Sequence, residues 1–140
     1  MENTEITKDI VLMDESYVKV LYDPERFIGK VIWSGNPTEG KYRIPFEKVL
    51  QYAKDGNKVT RFLSDTRNQG VVSVENRKWF EKEMFPEAVK VGLKRAAAIS
   101  DSNAFKRYYI NMILSSINKF GIPLKIFGDE ESAIAFLMEG

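Results

Sequence analysis

The sequence predicts an α/β fold in which a mixed β-sheet, antiparallel over its N-terminal strands and parallel beyond them, is covered by about four helices. Three observations carry this reading. Three runs of β-forming residues follow one another near the N-terminus with only turn-sized gaps. After them the apolar spacing alternates between helical and strand periods. Each change of period is marked by Gly, Pro or short polar residues.

The first strand covers Ile10 to Met13, and Asp14, Glu15 and Ser16 make the turn. Tyr17 to Tyr22 is the second strand, closed by Asp23 and Pro24. Phe27 to Trp33 is the third, ended by Ser34, Gly35, Asn36 and Pro37. Such short turns leave room only for an antiparallel meander. Phe46, Val49, Leu50 and Ala53 then fall on one helical face, with Pro45 expected in the first turn and Gly56 as the stop. Val59 to Leu63 reads as a strand ending at Ser64 and Asp65, and a polar loop follows. Ser73 is the expected N-cap of a helix carrying Trp79, Phe80 and Met84, which Pro86 breaks or kinks and Gly92 closes.

Leu93 to Ile99, rich in alanine, suits a central strand that helices approach closely. Phe105, Tyr108, Tyr109, Met112, Ile113, Ile117 and Phe120 keep helical spacing up to Gly121. Ile122 to Phe127 is the last strand. Asp129, Glu130 and Glu131 open a final helix whose inner face holds Ala133, Ile134 and Leu137. The alternation in the second half predicts parallel strands joined by right-handed crossovers.

Composition narrows the chemistry. The 140 residues fit one domain, 1–140, with 44% apolar and 29% charged residues. There is no cysteine and no histidine. Disulfides, thiolate nucleophiles, histidine bases and imidazole metal sites are therefore excluded, and neither cofactor nor metal is expected. A net charge of +1 gives no field to attract nucleic acid. No apolar run approaches a membrane span, and the polar N-terminus has no signal core, so a cytoplasmic location is expected.

A set of residues spread over nearly the whole chain points to a family. It comprises Trp33 and Gly35, Tyr42-Arg43, Ser64-Asp65-Thr66-Arg67, Trp79, Gly92-Leu93-Lys94-Arg95, and Phe127 followed by Asp129-Glu130-Glu131 and Ala133. In this order the chain resembles the STAS superfamily, and within it the SpoIIAA-like (STAS/SEC14) bacterial proteins. The resemblance implies a STAS-like mixed sheet. It also implies one of two roles: a regulatory module, in some members switched by phosphorylation, or a SEC14-like pocket for an apolar molecule. In the switching members a Ser-Gly step follows the strand-terminal Asp. Here Asp65 is followed by a longer loop, Thr66 to Val72, before Ser73.

Ligands of open α/β sheets gather at the carboxyl ends of parallel strands. The loop after Leu63 brings Asp65, Thr66, Arg67 and Asn68 to that rim, and these are the candidate ligand or partner residues. Ser73 is expected beside them, as a helix cap in preference to a phosphoacceptor. Trp33, Tyr42 and Arg43 are candidates for a pocket or interface, with a shallow cleft expected beneath Trp33, Tyr42 and Trp79. Little spare volume is expected beside the alanine strand.

The sequence offers no second carboxylate at catalytic spacing and no P-loop, G-x-G-x-x-G or G-x-S-x-G motif. The function expected is a non-enzymatic binding or regulatory module engaging a protein partner or small ligand, with homodimerisation through an exposed edge. A carrier of a small apolar ligand or lipid is the second reading. A histidine-free enzyme using Asp65 and Arg67 is the third.

Overall fold

The computed structural model describes residues 9–35, 37–101, 111, 115 and 120–139. The elements are β1 (Ile10–Glu15), β2 (Val18–Asp23), β3 (Ile28–Trp33), α1 (Glu39–Lys54), β4 (Arg61–Asp65), α2 (Val74–Trp79), a π turn (Phe80–Met84), α3 (Phe85–Lys90), β5 (Arg95–Ile99), β6 (Leu124–Phe127) and α4 (Glu130–Leu137). One six-stranded sheet runs in sequence order from β1 to β6. Its first two pairings are antiparallel and its last three parallel. This is the expected mixed sheet. The α2, π and α3 segments form one continuous rod, so the described residues hold three helical units rather than four. The remaining expected helix, with Phe105, Tyr108, Tyr109, Met112, Ile113 and Ile117, lies outside the described residues.

Alternation along the strands separates two cores. Val18, Val20, Val31, Trp33, Phe62 and Ala96 face α1 and the α2–α3 rod. Ile28, Leu63, Ala97 and Ile99 face α4, which contributes Ala133, Phe136 and Leu137. The last helix is also held at its C-terminal end. Arg61 Nε donates to the Leu137 carbonyl at 2.8 Å and Arg95 Nε to the Phe136 carbonyl at 3.0 Å. Two cations thus meet carbonyls that have no partner within the helix, at its negative end.

Pro45 departs from expectation, and Pro86 disturbs its helix without ending it. Pro45 is not in the first turn. The helix begins at Glu39, and Pro45 lies inside it, fully buried. It shares a stripe with Tyr42, Phe46 and Val49, and burial of its ring offsets the hydrogen bond it cannot donate. Pro86 does not end its helix. The Phe85 N–H donates to the Phe80 carbonyl, five residues back, and the turn between them is a π turn. The wider turn makes room where the Pro86 ring would crowd the preceding carbonyls. Gly92, at φ 115°, then closes the rod in a conformation suited to glycine. Among the described residues no helix is long and apolar enough to cross a membrane.

Gly29 marks the closest approach of α1 to the sheet. A Cβ there would lie 2.8 Å from Val49 Cγ1 and 3.3 Å from Val59 Cγ1. Gly29→Ala is predicted to destabilise the fold by about 1–3 kcal/mol through overpacking. Urea unfolding reads this directly. An unchanged midpoint would mean that Val49 steps aside without cost.

Candidate functional site

The carboxyl ends of β3, β4 and β5 form one rim. The loops leaving β3 and β4 are joined there by the Gly70 N–H, which donates to the Gly35 carbonyl at 3.1 Å. Thr66 continues the ladder: its N–H and its hydroxyl both donate to the Ile99 carbonyl, at 2.8 and 2.7 Å. The sequence predicts Asp65, Thr66, Arg67, Asn68 and Ser73 together at this rim, but the sheet divides them, with Asp65 and Ser73 on opposite faces.

Asp65 pairs in register with Ile32 and Ile99, so its side chain lies on the α4 face. Arg67 folds back onto it, with Nε 3.0 Å from Oδ1 and Nη2 2.7 Å from Oδ2. The Arg67 N–H also donates to Oδ1, at 3.1 Å. The hydrogen bond to Asp65 raises the already high pKa of the guanidinium. Asp65 and Arg67 therefore order their own loop and satisfy each other, while Asn68 is exposed. Nearby, Lys30 is almost wholly buried on the same face, 2.9 Å from Asp9 and 4.0 Å from Glu130. The signal for this buried cation in the sequence, a lysine interrupting a strand that otherwise reads as apolar, was missed.

Ser73 is on the other face, at the start of α2. Its Oγ accepts from the Asn76 N–H at 3.1 Å, making it the N-cap. Asn76, buried, accepts from Arg43 Nε at 3.1 Å. The Arg43 guanidinium also sits 5.2 Å from the Trp79 ring centroid. Arg43 and Ser73 thus join α1 to α2. Trp33, offered by the sequence as a pocket residue, is instead core: it is 1% exposed and stacks on Tyr42 at 5.4 Å and 11°.

A partly open cleft of about 80 Å³ lies between this helix pair and the sheet. Its walls are Tyr42 and Phe46 from α1 and Phe80 and Phe85 from the rod. Its floor is Phe62 with Ala96 and Ala98. Ser64, Thr66, Gln69 and Arg77 line it toward the rim. Tyr42 is where the sequence expects a cleft, but neither Trp33 nor Trp79 lines it. The alanine strand, expected to leave little volume, is its floor. Small side chains open space, and the rings of α1 and the rod meet above it, Phe46–Phe80 at 5.1 Å, with Phe85 packed beside Phe80 at 6.1 Å. Ser64, Gln69, Arg77 and Phe80 were missed as site residues. The only signal was the spacing of Arg77 and Phe80, three apart on one helical face. Among the described residues no group of three or more acidic side chains is placed to hold a metal ion.

No protein-family model matches the chain, and no curated protein does. Among solved structures it is similar to an uncharacterised protein of the DUF3478 family with a SpoIIAA-like fold, from Shewanella loihica PV-4. The two share 17% identity over 98% of this chain and 99% of that one, with a TM-score of 0.50. The likeness shows that the chain has a SpoIIAA-like fold.

Two caps are open to test. Ser73→Ala is predicted to lower stability by about 1 kcal/mol in chemical denaturation. No loss would mean that the Asn76 N–H finds another acceptor. Asp129 accepts from the Ser132 N–H at 2.7 Å and from its hydroxyl at 3.1 Å, and these bonds hold its carboxyl below the usual pKa. A lowered folded-state pKa contributes stability above the unfolded value and loses it as pH falls through the folded one. The stability gap between wild type and Asp129→Ala should therefore be full at neutral pH and shrink in acid. A pH-independent gap would contradict this.

Proposed function

We propose that this domain is a non-enzymatic binding module of STAS type that takes a small amphiphilic ligand. The ligand's apolar body lies over the alanine floor, and its acceptor-bearing end, such as a carboxylate, points to the rim. The observation that carries this reading is the gradient along one cleft. Phenylalanine and alanine line its depth, while Ser64, Thr66, Gln69 and Arg77 line its outer end. Arg77 sets the sign of the preferred ligand, because a guanidinium presents a planar fork of donors to a carboxylate. No acidic residue is among the described residues that line the cleft.

Size sets the ligand class. An apolar cavity of roughly 150 Å³ admits benzene. At about 80 Å³ this cleft takes a short acyl or branched aliphatic group and excludes a full lipid chain in the conformation seen. Its place between two helices and the ends of parallel strands is where open α/β sheets collect their ligands.

Tyr42 lines the cleft and its ring meets Trp79 edge-on at 6.2 Å, so tryptophan emission reports occupancy. Butanoate is predicted to give a saturable change, and butanol a response at least about tenfold weaker. Arg77→Gln should remove that preference for the acid. Absence of saturation with butanoate, or equal affinity for the acid and the alcohol, would overturn the proposal.

A further inference from the structure

A second, smaller cavity of about 30 Å³ lies deeper along β4, toward the amino ends of the strands. Val49, Leu50 and Ala53 of α1 line it, with Met84 from the π turn. Phe62, Phe80 and Phe85 line both cavities and form the partition between them. The three rings are not equally held. Phe62 projects from the sheet into the core, and Phe85 is 2% exposed. Phe80 is only partly buried and is the first residue of the π turn. Its N–H keeps the regular helical bond to Asn76, while its carbonyl accepts the widened bond from Phe85, so the ladder changes register at this residue. Such turns recur at functional sites because they re-aim a side chain without ending the helix.

We infer that Phe80 is the length-determining residue of the cleft, and that turning its ring aside joins the two cavities into one channel for a straight acyl chain. This rests on the cleft being the ligand site. The added space is apolar throughout, lined by aliphatic side chains and methionine. It suits methylene groups and offers a second polar end no hydrogen bond. The ligand class is thereby narrowed to monocarboxylates with an unbranched tail. With Phe80 in place, the chain stops at the partition. With the ring removed, each further buried methylene contributes about fourfold in affinity until the lower cavity is full.

Calorimetric titration of the wild type and of Phe80→Ala with butanoate and octanoate tests this. The expected result is that the wild type prefers butanoate, or binds the two alike. Phe80→Ala should bind octanoate at least about tenfold better relative to butanoate than the wild type does. A far-ultraviolet circular dichroism spectrum and a cooperative urea transition like those of the wild type report that the variant is folded. Phe80→Leu, which keeps most of the bulk, serves as a second variant if the alanine form fails to fold, and should shift the ratio in the same direction. An octanoate-to-butanoate ratio unchanged in a variant that still binds would overturn the role of Phe80 alone. A wild type that binds neither acid would overturn the cleft reading and this inference with it.

Discussion

Large rings on the helices stand above small side chains on the sheet, and the rest of the structure depends on that mismatch. Phe80 meets Phe46 on one side and Phe85 on the other, over Ala96 and Ala98. Helix backbones cannot sink further without forcing these rings out of their packing, and close-packed interiors resist such shifts. Elsewhere the same helix closes tightly. At Gly29 there is no Cβ, and Val49 fills the place one would occupy. Helix α1 is therefore pinned near Gly29 and propped at Phe46, which tilts the available volume toward β5 and the rim.

The polar residues follow the same geometry. Ser73, Asn76, Arg43 and Trp79 link the first turn of α2 to α1, fixing the separation of the two walls. On the opposite face, Asp65 and Arg67 satisfy each other beside the start of α4, and Lys30 lies against Asp9. Charges on that face order loops and strand edges. Among the described residues lining the cleft, the cation is Arg77, set among hydroxyl and amide groups.

Much of the fold was legible in the sequence because periodicity and turn residues report local geometry. The meander, the alternation that follows, the cap at Ser73 and the acidic opening of the last helix are all of that kind. Pro45 was misplaced because burial in a core-facing stripe overrode its preference for a first turn. The disturbance at Pro86 was legible but not its form, because a π turn is a response of the backbone with no residue signature of its own. The candidate site was legible at its rim and not at its face. Asp65 and Ser73 are close in sequence, but which side of the sheet a strand-terminal residue faces depends on register, one residue of slip inverting it. The cleft itself arises from non-local contacts between phenylalanines of different elements. Ala96 and Ala98 suggested tight approach, since small residues permit it. Whether the helices take up that freedom is decided by what they carry.

The central claim is that the space above Ala98 is kept open by the rings and not filled by the fold. Urea denaturation of Ala98→Leu tests it most directly, because the new side chain would grow into that space from the floor. A stability equal to or above that of the wild type is expected. A loss of about 1–3 kcal/mol, as overpacking of a filled core produces, would contradict it.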